Sequence, residues 1–228
     1  RNAKKKLREN PTWMPVIEAA SREHGIPATT IISIIEMESS FNPQAVVIDE
    51  DTGLPKSHGP VGFAQMDKDT FARYRRDALR RGRPEPDRMK AEDGIDMVAW
   101  YCKQVVEDVR SLKPEAKYLI EVTDIEHVYM AYNQGATGYL AMRRYLDVLA
   151  DPNATEELKR AQEELLTITQ KKKNKEGIAR WQADSGYVKR ITEVARAYDY
   201  MKNLPETAEA APDPSFEYSP IQGEFRLT

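Results

Sequence analysis

A mainly α-helical domain is the fold class this chain predicts, and three observations predict it. Only 11 of 228 residues are glycine, against abundant Ala, Glu, Lys, Arg and Leu, which argues against a design of many short strands and tight turns. Apolar residues recur at helical intervals in several long segments instead of alternating. Length adds the third: 228 residues bury a sizeable core and fit one domain with appendages.

Taken in order, residues 1–10 read as a polar, solvated tail. PTWMPVIEAASREHGI predicts a first helix, ended by Gly25 and Pro27. A second begins near Ala28. Residues 42–61 collect Pro, Gly, Asp and Asn without a period, so they predict a loop, with Asp51-Thr52-Gly53 as a turn. Helical patterns return at 67–81 and 91–111, separated by the loop RGRPEPDR. TDIEHVYMAYNQGATGYLAMRRYLDVLA predicts a helix that breaks around Asn133 to Gly138 and resumes. TEELKRAQEELLTITQKKKNKE is helical but strongly charged, a protruding insertion within about 150–180. In SGYVKRITEVARAYDYMKNL, Tyr187, Ile191, Val194, Ala195 and Tyr198 fall at helical intervals. From Pro205 the composition shifts to Pro, Glu and Ala and predicts an extended tail. The expected organisation is thus a tail over 1–10, one catalytic domain over 11–204 and a C-terminal tail over 205–228.

Composition also excludes function classes. No apolar run approaches the roughly 20 residues of a membrane span, and no apolar signal segment opens the chain. It starts on Arg1, not Met, so it is expected to be processed or trimmed from something longer. One cysteine forms no internal disulfide, and with three scattered histidines it gives no metal-ligand spacing, so neither metal nor cofactor is expected. Cys102, in AWYCKQVV, reads as a plain buried thiol. A net charge of -3 gives no pull toward nucleic acid, and RNAKKKLR reads as a solvated tail or a helix start, not a binding arm.

The oddity lies in IIEMESSFNPQ. On a helix from about residue 28, Ile31, Ile32, Ile34 and Ile35 define an apolar face, and Glu38 falls close to its centre. Glu36 comes out about 160° away and is expected on the polar side. Burial disfavours the charged form of a carboxyl and raises its pKa, which is the state a general acid needs near neutral pH. A helix-terminal glutamate paired with an arginine fits this one feature equally well.

The surrounding residues add a resemblance. Glu38-Ser39-Ser40-Phe41-Asn42-Pro43 resembles the catalytic motif of the soluble lytic transglycosylase family, whose fold is lysozyme-like, of the goose-type/transglycosylase kind. The family's second motif looks like Gly62-Phe63-Ala64-Gln65, preceded by Gly59-Pro60-Val61, with Ala64 in place of the usual Met. Its third is Ala131-Tyr132-Asn133-Gln134-Gly135, and its late motif is Tyr187-Val188-Lys189-Arg190-Ile191. The four motifs fall in order, and the resemblance covers residues 13 to about 201. The loop between Pro43 and Gly59 is longer than in the family.

The resemblance implies cleavage of the β-1,4 bond between N-acetylmuramic acid and N-acetylglucosamine in peptidoglycan, with a 1,6-anhydro product. Glu38 is then the sole general acid and base. Tyr187 resembles the family tyrosine that hydrogen-bonds the acid, although a core tyrosine is the plain alternative. A serine near the second motif contacts the acid in the family; Ser57 is the nearest here, one residue short of the usual spacing. Gln65 and Asn133 offer amides suited to sugar hydroxyls and acetamido groups, and Tyr132 offers a face for a pyranose ring; caps and core packing are their ordinary roles.

Two rivals remain at this level. A goose-type lysozyme would use a second carboxylate to activate water, and Asp49, Glu50 and Asp51 in the long loop are the available acids. A non-catalytic wall-binding or secretion-scaffold module would keep the fold alone. Peptidoglycan strands are the expected partner, with envelope or virion assembly partners besides. The expected place is the periplasm, the cell envelope or a phage particle delivered there.

Overall fold

The computed structural model describes residues 2–49, 51–56 and 59–160, and in them the protein is built from helices. The core is organised around α5 (Ala91–Ser111), which packs against α2 (Trp13–His24), α3 (Ala28–Ser39), α4 (Lys68–Arg80) and α6 (Ile125–Ala150), while α1 (Asn2–Glu9) lies on α3. Ser57, Glu50, Tyr187, most of the charged insertion and the C-terminal tail lie outside the described residues.

Local sequence explains most boundaries. In α2, Trp13, Ile17, Ala20 and His24 form one buried stripe, and Gly25 closes the helix in the left-handed conformation (φ 68°) with its N–H on the Ser21 carbonyl. Asp67 caps α4 by accepting from the Thr70 N–H at 2.7 Å. Glu92 and Asp93 occupy the first turn of α5, where the helix dipole favours negative charge.

Two expectations are corrected. Residues 1–10 are not a tail: α1 forms there, because Ala3 and Leu7, four residues apart, bury one edge (7% and 4% exposed) while Lys5 and Arg8 stay outside. Two apolar positions among six charges make a stripe too narrow to stand out in the sequence. Nor does Glu36 face water. Every residue from Thr30 to Glu36 is buried, Glu36 to 4% exposure, so α3 is enclosed on all sides and has no polar face over that stretch.

The break expected around Asn133–Gly138 is a single glycine. Gly135 (φ 68°, ψ 169°) interrupts α6, and the ring of Tyr139 comes within 5.9 Å of His127. A straight helix would set those residues about 18 Å apart, so residues 136–150 fold back along 125–134. Arg143 also reaches His127, and His127 Nδ1 pairs with Asp124 at 2.8 Å. The conformation of Gly135 belongs to glycine almost alone. A Cβ there would meet no neighbour, so backbone geometry and not crowding demands the residue.

Candidate active site

Glu38 sits in the last turn of α3, and the corner that follows fixes it. Ser40 (φ 50°) ends the helix with its N–H on the Glu36 carbonyl at 3.1 Å, and Phe41 (φ 57°) is left-handed as well. Such conformations cost non-glycine residues about 1–3 kcal/mol each. Burying Phe41, worth about 1.5–3 kcal/mol, offsets part of this. Its ring lies between Trp13 (6.1 Å) and Phe63 (5.8 Å), so one aromatic cluster joins α2, the end of α3 and the second motif. That is the structural task of Phe41 in the first motif.

The Glu38 residue keeps partial exposure, while its carboxyl is surrounded by protein. Burial pushes its pKa up to about 8, against a smaller downward pull from Asn133. Asn133 Nδ2 donates to Glu38 Oε1 and to the Tyr129 carbonyl, both at 3.4 Å. Asn133 ends the first limb of α6, two residues before Gly135, so the corner presents its amide to the acid. Beneath them Cys102 is fully buried; burial, with the Glu38 charge contributing, raises its thiol, which stays protonated and inert.

The other side is the turn 59–66. Gln65 adopts φ 46°, and its Nε2 donates to the Gly62 carbonyl at 2.8 Å and the Ala45 carbonyl at 3.3 Å. Its amide nitrogen therefore holds the turn together. Tyr132 is buried with its ring edge-on to Tyr101 at 4.8 Å, and its hydroxyl donates to the Ala64 carbonyl at 2.7 Å. The face expected to meet a sugar is packed in the core; Tyr132 ties α6 to the residue beside Gln65. Burial raises its phenol well above the usual range, with the Glu38 charge adding to the effect.

Glu38 and Asn133 are thus brought into contact, and Gln65 and Tyr132 are linked through the second motif. Of the loop acids, Asp49 is spent on a turn. Its carboxylate accepts from the N–H groups of Asp51 and Thr52 and from the Thr52 hydroxyl, all at 3.1 Å, and these bonds, the Thr52 backbone first, hold its pKa down. Gly53 (φ 67°) closes the turn. Asp51 is exposed.

Sequence reasoning missed another buried acid, Asp96 of α5. It pairs with His24 Nε2 (2.8 Å), Tyr74 Oη (2.8 Å), Arg81 Nη2 (3.0 Å) and Arg83 Nη2 (2.8 Å). Burial pushes its pKa up, but the bonds from His24, Arg81 and Tyr74 outweigh this and hold it at about 2. The signal was present: Asp96 interrupts Ile95, Met97 and Val98 as Glu38 interrupts the isoleucines. Glu23, His24 and Asp96 set ligand atoms within 4.8 Å of one another. Two guanidinium groups already fill that space, Arg81 and Arg83 both reaching Glu23 as well, so the cluster suits an ion-pair network and does not fit a cation.

Among the described residues no helix is long and apolar enough to cross a membrane. A family model described as a transglycosylase SLT domain matches residues 1–165. Comparison with curated proteins finds no match.

Proposed function

Because the chain belongs to the transglycosylase SLT domain family, with its lysozyme-like helical fold and its action on peptidoglycan, we propose that it is a lytic transglycosylase. It cleaves the β-1,4 bond between N-acetylmuramic acid and N-acetylglucosamine and leaves a 1,6-anhydromuramoyl end. The observation that carries this reading is Glu38: partly exposed, pKa raised to about 8, and within reach of the Asn133 amide.

At neutral pH the Glu38 carboxyl holds its proton and gives it to the glycosidic oxygen as the C1–O bond breaks. The N-acetylglucosamine hydroxyl leaves, and positive charge develops at C1, which the substrate's own acetamido group relieves. The carboxylate, now favoured by the Asn133 N–H, takes the proton from the muramoyl 6-hydroxyl as O6 closes on C1. Glu38 is reprotonated and no water is consumed. Tyr187 and Ser57 are proposed to orient the same carboxyl, and Gln65 and Asn133 to receive sugar polar groups through the atoms their own bonds leave over.

A lysozyme would need a carboxylate to hold water opposite Glu38. Of the described loop acids, Asp49 has its carboxylate tied in its own turn, which supports intramolecular attack, already favoured by a large effective molarity. A scaffold role gives no reason for an acid with a raised pKa on a partly exposed residue. The proposed site of action is the cell envelope or periplasm, reached from the host cell or carried by a virion. Digesting purified peptidoglycan and weighing the muramoyl ends tests the proposal. Anhydro ends support it, reducing ends point to the lysozyme, and no release points to the scaffold.

A further inference from the structure

We propose that Arg88 and Met89, in the linker between α4 and α5, form a strap that sets the position of the Gln65 turn relative to Glu38, with Arg88 as its positioning residue. For its substrate this rests on the transglycosylase reading above.

The turn 59–66 carries little structure of its own. Val61 makes isolated antiparallel bridges to Val46 and Met66, and Gly62 and Gln65 both have positive φ. Its core side is anchored by Phe63 on Trp13 and Phe41 and by the Tyr132 hydroxyl on the Ala64 carbonyl, and the strap holds the remaining side at Gly62 and Met66. The strap meets it before, within and after the turn. Gln44 Nε2 donates to the Met89 carbonyl at 3.1 Å. Gly62 lies so close to the linker that a Cβ would fall 1.9 Å from the Arg88 carbonyl oxygen. Arg88 Nη1 donates to the Met66 carbonyl at 3.4 Å while its guanidinium lies 5.3 Å from the centre of the Phe71 ring.

The linker can impose a position because both its ends are held. Arg81 and Arg83 are drawn to buried Asp96. At the other end the Asp87 N–H donates to Asp93 at 3.0 Å, and the Met89 N–H to Asp87 at 2.8 Å. From Gly62 the constraint passes to Ala45, which accepts the Gly62 N–H at 2.8 Å and also the Gln65 amide. Glu38 is placed by α3, by Asn133 and by the Phe41 corner, whose contact with the turn runs through buried Phe63 and not through the strap. Loosening the strap therefore displaces the substrate-facing turn and leaves the acid in place.

Arg88→Ala, Arg88→Lys and Gln44→Ala, compared with wild type on soluble glycan fragments of peptidoglycan, separate these effects. Arg88→Ala is expected to raise KM about five- to tenfold with kcat changed less than about twofold, the pattern of lost uniform binding. The pH dependence of kcat should not move, because Glu38 is untouched. Arg88→Lys should recover part of the loss, since an ammonium can donate to Met66 but does not stack as a guanidinium does. Gln44→Ala, at an exposed residue, repeats the KM effect more weakly and covers the case that Arg88→Ala does not fold. Amide exchange should quicken at residues 59–66 and stay unchanged in α5. An unchanged KM in an active enzyme, or a kcat pH profile that shifts with KM, overturns the strap. If wild type releases no fragments the enzymatic reading fails instead, and unaltered exchange at 59–66 in Arg88→Ala then overturns the strap on its own.

Discussion

As the proposed acid, Glu38 must hold a proton at neutral pH and release it within the same turnover, and its burial and the Asn133 amide divide that work. Burial raises its pKa to about 8, and the Asn133 amide favours the charged form. Glu38→Gln is expected to lower wall-cleaving activity about 10²- to 10⁴-fold, measured as released fragments. The same change should raise stability at pH 8. A carboxyl whose folded pKa lies above its ordinary value of 4.5 contributes stability below 4.5 and loses it as pH climbs through about 8, a loss glutamine does not share. After allowance for partial exposure the gain is on the order of 1–2 kcal/mol, read from denaturant curves. Asn133→Ala removes the downward pull, so the alkaline limb of the pH–rate profile should move to higher pH while the rate falls; an unmoved limb would show that the amide does not act on the acid. At this scale the sequence revealed Glu38, because an acid among isoleucines near the end of a helix is visible by periodicity. It misplaced Glu36 for a related reason. The wheel angle between the two acids is sound, but a wheel cannot tell that the far side of α3 is packed too.

At the level of elements, two devices hold the parts in register. The corner at Gly135 folds α6 back and brings Asn133 to the site. Gly135→Ala meets no steric obstacle but must adopt a conformation that costs about 1–3 kcal/mol. We expect a loss of that size in thermal unfolding together with reduced activity, since the limb carrying Asn133 shifts. The second device is the Asp96 cluster, which ties α2, α4, α5 and the linker. Asp96→Asn leaves Arg81 and Arg83 facing a neutral group and should destabilise by about 3–5 kcal/mol. Its pKa is depressed to about 2 from 3.8, so its contribution is present above about 3.8 and disappears as pH falls toward 2. The wild type should lose stability across that window, and Asp96→Asn should lose less of it. The helices over 13–24, 28–39, 68–80 and 91–111 and the break in α6 were legible because caps, glycines and apolar periods are local signals. The Asp96 cluster was not, since His24 and Asp96 stand 72 residues apart and nothing local marks them as partners.

For the molecule as a whole, α5 is the shared support: it buries Cys102 beneath Glu38, carries Asp96 for the linker, and sets Gly94 so close to Phe63 that a Cβ would fall 2.8 Å from the Phe63 Cβ. Acid, amide and the Gln65 turn therefore rest on one helix, although they come from segments nearly a hundred residues apart. The order of motifs in the sequence anticipated that convergence. It did not anticipate that Tyr132 would serve as a tie inside the core, because an aromatic ring in a motif looks the same whether it faces sugar or protein. The central claim is that one carboxyl performs the reaction without water, and the mass of the muramoyl ends released from purified peptidoglycan tests it most directly. The account predicts ends one water lighter than a reducing sugar, formed by wild type and lost in Glu38→Gln. Reducing ends as the main product, or anhydro ends that persist in Glu38→Gln, would contradict it.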